Sequence, residues 1–297
     1  PIGACRLVWP ILRGWGARDP GSNPGRPTIR FTKAKGQFEG PRPLCIIMGA
    51  DHTEEDIPDG RIDWLAEQLE KHSEFYYNKA EPEISDADFD ALREELQTLS
   101  PDHPQLSRVG SDPPPGSVKV DHLFRMMSLD KATSDEEVAH FVTETTAKGR
   151  RFVCQPKLDG SALSLEYRRG RLVRAATRGN GRRGEDVTAN ARRMMNVPES
   201  LRWKGDCHVR GEVVMPLQVF REKYSEVAPN PRNLAAGALR QKYVDAGKGS
   251  PEDLKFLAYG VEFPSDQNRH PDSPSPPDFQ LDSEVISWIS EMGIEVA

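Results

Sequence analysis

The fold is decided by residues 161–177, which read SALSLEYRRGRLVRAAT. Leu163, Leu165 and Tyr167 alternate with polar residues, and this period of two is typical of a strand with one buried face. A turn that contains a glycine follows, and the chain then returns through a second apolar run at residues 172–177. The pattern predicts an antiparallel β-hairpin.

Other strands and helices are predicted on both sides of this hairpin. Strands are expected at residues 207–215 and 254–261, and helices at 217–224, 234–243 and 283–292. A further helix is expected to begin at Ser134, because a glutamate three residues later completes a capping box.

Two amphipathic helices are predicted near the start of the chain, within residues 58–100. The first carries an apolar stripe of Ile62, Leu65, Leu69, His72 and Tyr76 at helical spacing. The second begins at Ser85, whose hydroxyl can cap the first backbone amides. A proline-rich linker at residues 112–116 then marks a domain boundary. The fold class is therefore α+β.

The composition excludes several classes of protein. The 297 residues are 36% hydrophobic and 29% charged, which suits one large or two ordinary globular domains and excludes disorder throughout. A net charge of -6 argues against non-specific coating of nucleic acid. No apolar run approaches the roughly 20 residues of a membrane span. The four cysteines are scattered, so we expect no disulfide framework or zinc site, and a cytoplasmic setting.

The first fifty residues differ from the rest. They hold eight basic residues against Asp19 and Glu39, are rich in glycine and proline, and show no regular period. We predict an irregular basic leader over residues 1–50. Two interpretations stay open: native translation begins at Met48 and the preceding residues are not part of the native protein, or the leader is a basic arm that binds nucleic acid.

The chemistry centres on Lys157-Leu158-Asp159-Gly160, beside the mouth of the hairpin. A lysine and an aspartate two residues apart point to the same side of an extended chain. A lysine amine attacks phosphorus only when neutral, so its pKa of about 10.4 must be lowered by burial or by nearby cations. The alternative is a plain surface Lys–Asp pair beside a turn, and these four residues alone favour that alternative.

The order of the surrounding motifs favours a reactive lysine over a surface Lys–Asp pair. Five more motifs follow, namely residues 176–181 (ATRGNG), 184–188 (GEDVT), 209–213 (VRGEV), 230–233 (NPRN) and 236–241 (AGALRQ). Together with the lysine motif they resemble the bacterial NAD-dependent DNA ligases, and the resemblance covers residues 58–297. It implies a helical domain at 51–112 that binds the nicotinamide mononucleotide (NMN) half of NAD. It also implies an adenylation, or nucleotidyltransferase, domain at 117–297.

The resemblance implies a reaction in DNA replication and repair that seals nicked double-stranded DNA with NAD and Mg²⁺. Lys157 would attack the adenylyl phosphorus and release NMN, and the AMP would then pass to the DNA. Asp159 would orient that lysine and the ribose. The other implied nucleotide-binding residues of this domain are Ser128, Leu129, Gln155, Gly160, Arg178, Glu212, Arg232 and Arg240.

The helical domain would favour NAD over ATP. Tyr76 would stack on the nicotinamide ring, and Asp86 and Asp90, four residues apart on one helical face, would hold the ribose or the cationic ring. Three positions depart from the family pattern: Gln155 replaces a glutamate beside adenine, Tyr77 replaces a histidine, and Phe89 replaces a tyrosine. These departures indicate a divergent member with weaker NAD use or none.

The resemblance also implies that the adenylation domain is truncated at its C-terminus, before the last nucleotide-binding lysines of the family. We therefore expect slow self-adenylation and no complete nick sealing by this chain alone. One rival is a ligase remnant that only binds NAD or a partner, and another is an ATP-using nucleotidyltransferase that acts on RNA. The oligomeric state is left open, and no membrane partner is expected.

Overall fold

The computed structural model shows a helical unit followed by a larger unit built on antiparallel sheet, which confirms the α+β class. Besides Ala132 and the backbone of the strand Cys5–Val8, the residues it describes are 60–76, 83–108, 110–113, 116–128, 134–149, 152–242 and 249–297. None of the described helices is both long enough and apolar enough to span a bilayer.

The helical unit consists of α1 (Arg61–Glu74) and α2 (Asp86–Leu99). Leu65, Leu69 and Leu96 are buried where the two helices meet. The predicted cap at Ser85 is confirmed, since its hydroxyl accepts the Asp88 amide at 3.1 Å. A 3-10 turn at Pro104–Ser107 follows and packs Leu106 against the same leucines. This pairing of apolar stripes is what the periodicity predicted.

The main sheet has four strands, β4 (Ser161–Arg168), β5 (Arg171–Thr177), β7 (Cys207–Val214) and β8 (Lys255–Glu262). Their order is β5-β4-β7-β8, and all neighbours are antiparallel. The hairpin predicted from the alternating stretch is therefore β4 with β5, and it lies at one edge of this sheet.

One face of the sheet is apolar and forms the core. Leu163, Leu165 and Tyr167 of β4 are fully buried, as are Val209 and Val213 of β7. The shorter helices belong to the same core cluster or border it: α4 (Thr188–Ala191), α5 (Leu217–Lys223), α6 (Pro231–Arg240) and α7 (Asp282–Glu291). The opposite face of the strands, with the alternate residues, carries polar side chains.

Two smaller sheets and one helix complete the described fold. β2 (Lys119–Asp121) pairs with β6 (Arg183–Glu185), and β1 (Cys5–Val8) pairs with β3 (Val153–Pro156). Helix α3 (Asp135–Ala147) begins at the predicted capping box of Ser134.

Two predictions are corrected. The irregular leader is wrong for Cys5–Val8, because these residues pair with the edge strand β3, and such pairing leaves no local periodic signal. The rest of the leader lies outside the described residues. Helix α6 begins at Pro231 rather than at residue 234, because Asn230 caps it by accepting the Asn233 amide at 2.8 Å.

A buried carboxylate ties the hairpin turn to a distant loop. Asp206 accepts the Arg169 amide at 2.7 Å and the His270 amide at 2.8 Å, and it is fully buried. The Arg168 guanidinium lies 3.5 Å from the same Asp206 oxygen that accepts the His270 amide. This carboxylate therefore satisfies donors from two segments at once.

We expect Asp206→Ala to lower the free energy of unfolding by about 2–5 kcal/mol, because it leaves two backbone amides without an acceptor. Urea unfolding followed by circular dichroism measures this loss. The matched control is Asp266→Ala in the same loop, where an exposed carboxylate pairs with Arg269 and the expected loss is below about 1 kcal/mol. Equal losses in the two variants would contradict the structural role of Asp206.

Candidate active site

The motif lysine lies in the loop that connects β3 to β4. Lys157 is half-buried and Asp159 is exposed, whereas Gly160 is buried. A Cβ atom at position 160 would overlap the carbonyl oxygen of Val213 on β7. The glycine therefore brings the motif loop against the neighbouring strand, a role within the sheet that the sequence analysis did not foresee.

Glu212 lies on that neighbouring strand, directly opposite Ala162 of β4. It is half-buried, and the alternation along β7 directs it to the polar face, away from the core residues Val209 and Val213. The motif loop and Glu212 thus belong to adjacent strands of one sheet.

Arg232 joins the motif loop to the helical unit. Its guanidinium lies 3.3 Å from the Asp159 carboxylate and stacks over the Tyr76 ring, with 4.3 Å between the guanidinium carbon and the ring centroid. The Asp159 side chain is 73% exposed, so this ion pair is screened by water and contributes little to stability. Arg232 matters for position rather than stability. It brings together Asp159 and Tyr76, which were predicted to bind opposite halves of a dinucleotide.

Arg178 follows β5 and lies against the segment predicted to contact adenine. Its guanidinium donates to the Ser128 hydroxyl at 3.4 Å, and its own amide donates to the Ala162 carbonyl at 3.2 Å. Arg178 and Ser128 are therefore adjacent, as a shared nucleotide site requires. Leu129, the other predicted residue of this segment, lies outside the described residues.

His122 is a residue of this region that the sequence analysis missed. Its Nε2 lies 2.9 Å from the Thr177 carbonyl oxygen and 3.3 Å from that of Arg178. Burial lowers the pKa of His122, although these two hydrogen bonds act in the opposite direction. Its partners are backbone carbonyls, which have no sequence signature.

Arg240 lies at the last turn of α6, two turns beyond Arg232, so one helix carries both arginines as the spacing anticipated. The Arg240 side chain is largely buried, and its Nε lies 3.7 Å from a Glu185 carboxylate oxygen. Burial lowers the pKa of Arg240 and raises that of Glu185, each against the attraction of the other. The pair is therefore held in a low-dielectric position.

Gln155 carries a buried amide beside the motif. Its side chain is in β3 and only 3% exposed, and its Nε2 has no hydrogen-bond partner among the described residues. An unpaired buried donor costs about 1–3 kcal/mol, so a bound acceptor would relieve it.

The acidic pair of the helical unit lies in the first half of α2. Asp86 is exposed and Asp90 is half-buried. Phe89, one of the positions that depart from the family pattern, packs against the buried leucines between α1 and α2, a role that requires no hydroxyl. Tyr77, another such position, lies outside the described residues.

The polar face of the sheet continues beyond Glu212 as a network of charges. Glu166 pairs with Arg168 at 2.8 Å and with Arg174 at 3.6 Å, and Arg210 pairs with Glu262 at 3.3 Å. These pairs lie on the same face as Glu212, because all occupy alternate positions of adjacent strands. This face of the sheet therefore carries paired charges close to Glu212.

Comparison with known proteins supports one family. The family model described as "NAD-dependent DNA ligase adenylation domain" matches residues 117–297, more than half of the chain. The model described as "DNA ligase-like, N-terminal NAD+-binding domain" matches residues 55–115. Both matches agree with the resemblance found in the motifs.

Curated relatives named DNA ligase agree with these models. One from Nitrobacter hamburgensis is 40% identical over 260 residues, which is 78% of this chain and 34% of the relative. Others from Rhodopseudomonas palustris and Marinobacter nauticus are 43% and 44% identical, over 66% and 68% of this chain and 30% and 33% of their own lengths. The chain thus spans about a third of the length of the curated relatives it matches.

His208, on the polar face, predicts a dependence of stability on pH. It is 7% exposed and meets the Phe124 ring edge-on. Burial lowers its pKa from the usual 6.5, while Glu166 opposes that shift and Arg168, Arg210 and His122 add to it. A histidine whose folded pKa is lowered takes up its proton more readily in the unfolded state, so stability falls as the pH drops below about 6.5.

We therefore expect the free energy of unfolding to decrease from about pH 7.5 to about pH 5, with His208 contributing up to about 1.4 kcal/mol per pH unit. His208→Gln, which cannot titrate, should show a smaller decrease. Urea unfolding at both pH values measures the difference, and an unchanged pH dependence in the variant would contradict the assignment.

Proposed function

The chain belongs to the NAD-dependent DNA ligase family, and on that premise we propose that it transfers the adenylyl group of NAD to its own Lys157. The neutral lysine amine would attack the adenylyl phosphorus, a phosphorus–nitrogen bond would form, and the bond to the NMN phosphate would break. NMN would leave with that electron pair, and the lysine proton would be lost to solvent or a nearby base.

One observation carries this proposal: Arg232 contacts both Asp159 of the motif loop and Tyr76 of the helical unit. The adenylyl donor NAD has two nucleotide halves, so a site for it needs groups from both units in reach of one phosphate. A donor with a single nucleotide, such as ATP, would need groups only from the unit that contains the sheet. The contact therefore favours NAD over ATP.

The residues around Lys157 suit the adenosine half. Gln155 offers a buried amide nitrogen with no partner among the described residues, and this donor suits an acceptor on the hydrogen-bonding edge of adenine. Glu212 on the polar face would accept a ribose hydroxyl, and Arg178 and Ser128 would line the same site. We assign Gly160 to the close packing that holds the loop, and we leave Leu129 as a predicted contact.

The phosphates and the NMN half would meet the remaining residues. Arg232 and Arg240 supply guanidinium groups, which bind phosphate oxygens through paired donors. Tyr76 would stack on the nicotinamide ring, and the Asp86 and Asp90 carboxylates would attract its positive charge. We accordingly propose residues 51–112 as the NMN-binding domain and 117–297 as the adenylation domain.

We propose Mg²⁺ as the metal that assists the transfer, where it would balance charge on the phosphates. Among the described residues, no group of three or more His, Cys, Asp or Glu side chains is placed to hold a metal ion. Mg²⁺ commonly keeps its waters and binds through substrate phosphates with one or two carboxylates.

Nicked double-stranded DNA is the acceptor that we propose for the adenylate, in the cytoplasm where the DNA would be. Arg178, which lies against Ser128, supplies a guanidinium that would meet a phosphate of the backbone. Because the chain spans about a third of its curated relatives, sealing of the nick is proposed for the protein as a whole rather than for these residues alone.

We expect the chain incubated with NAD and Mg²⁺ to gain one AMP on Lys157, seen by mass spectrometry of its peptides. Lys157→Arg should show no adduct, because a guanidinium keeps its charge and is not a nucleophile. Lys148→Ala, an exposed lysine at the end of α3, is the matched control and should react like the wild type.

Three other outcomes would contradict this proposal. An adduct formed with ATP alone would support an ATP-using nucleotidyltransferase. Binding of NAD with no adduct would support a non-catalytic remnant of the family. An adduct on another lysine would refute the role of Lys157.

Tyr76→Ala should raise the KM for NAD about tenfold, because stacking of a ring on an aromatic side chain contributes about 1–3 kcal/mol. The maximal rate of adenylation should change much less, since Tyr76 would not touch the reacting phosphorus. Tyr76→Phe keeps the ring and should stay within about twofold of the wild type. An unchanged KM in Tyr76→Ala would remove the residue from the site.

A further inference from the structure

Two segments that form the proposed nucleotide site are held together mainly through their backbones. One is the segment of residues 119–128, which ends in Ser128. The other is the turn after β5, which carries Arg178. Besides the β2–β6 ladder, the His122 amide donates to the Arg182 carbonyl at 2.8 Å and the Met126 amide donates to the Gly181 carbonyl at 2.9 Å.

The His122 side chain adds a hydrogen bond to the backbone of Arg178. Nε2 lies within hydrogen-bond distance of the carbonyls of both Thr177 and Arg178, at 2.9 and 3.3 Å. A carbonyl can only accept, so Nε2 carries the proton and donates to both. Gly184 leaves the space for this ring, since a Cβ there would come within 2.8 Å of Nε2.

Both backbone groups of Arg178 are therefore hydrogen-bonded. Its amide donates to Ala162 of β4 at 3.2 Å, and its carbonyl accepts from the Gly181 amide at 3.0 Å as well as from His122. Its guanidinium reaches Ser128. Of these restraints, the imidazole of His122 is the one that links the backbone of Arg178 to the segment of Ser128.

We propose that His122 is a positioning residue for the adenylation reaction, which fixes Arg178 and Ser128 relative to each other on the adenosine side of NAD. This inference rests on the proposed function. His122 itself would touch neither NAD nor Lys157, and its effect would pass through the main chain of Thr177 and Arg178. Loss of its donor would let the turn shift, and the shift would misplace Arg178 and Ser128 for binding the adenosine half of NAD.

Two substitutions of His122 distinguish the effect of its hydrogen-bond donor from the effect of its size. In glutamine the amide nitrogen is as many bonds from Cβ as Nε2 is in histidine, so His122→Gln can still donate to the two carbonyls. The amide of asparagine is one bond shorter and matches Nδ1 instead. His122→Asn should therefore leave both carbonyls without this donor. His140→Asn, at a side chain that is 78% exposed on α3, is the matched control.

The experiment measures adenylation of Lys157 against NAD concentration, together with amide hydrogen exchange of peptides that cover residues 176–185. We expect His122→Asn to raise the KM for NAD about tenfold, to change the maximal rate less, and to speed exchange in these peptides about tenfold, as loss of one buried hydrogen bond implies. His122→Gln should restore both values to within about threefold of the wild type, and His140→Asn should match the wild type.

The outcomes distinguish this inference from the function it rests on. If the wild type forms no adduct, the proposed function fails and the inference fails with it. If the wild type reacts but His122→Asn shows the same KM, only the positioning role is refuted. If His122→Gln is as impaired as His122→Asn, the ring is needed for packing alone, and the inference is also refuted.

Discussion

The antiparallel register between β4 and β7 is the constraint on which the candidate site depends. The motif loop with Lys157 enters β4, and Glu212 lies on β7 opposite the second residue of that strand. Because side chains alternate, a slip of one residue would turn Glu212 into the core. Two features fix this register. Leu163 and Leu165 are buried on the core face, and the backbone at Gly160 lies close to the Val213 carbonyl of β7. The proposed chemistry therefore rests on ordinary sheet geometry.

Most of the large elements could be predicted because their signals are local. The alternation before the turn gave the hairpin, and the serines at 85 and 134 gave two helix starts. The strands β1, β2, β3 and β6 were not predicted individually, because segments of three or four residues show no measurable period and depend on partners far along the chain. Helix α6 carried a cap signal at Asn230, but the apolar period begins only later.

The candidate site was predicted by residue type and motif order, but its contacts were not. Nothing in the sequence indicates that Arg232 lies over Tyr76 or that Arg178 reaches Ser128, since these pairs come from different elements. Contacts between a side chain and a backbone carbonyl or amide are even harder to predict from the sequence. His122 and Asp206 both act on main-chain groups, which every residue has, so no pattern of side chains identifies their partners.

The two-faced sheet has a practical consequence for protein engineering. Positions on its apolar face tolerate little change, because they fill the core, whereas several positions on the opposite face carry charged pairs such as Arg210 with Glu262. A mutant library restricted to Ala162, Arg210 and Glu212, which are half-buried on that face, would vary the proposed nucleotide contacts while sparing the buried residues. Such a library could search for altered cofactor preference at a low cost in misfolded variants.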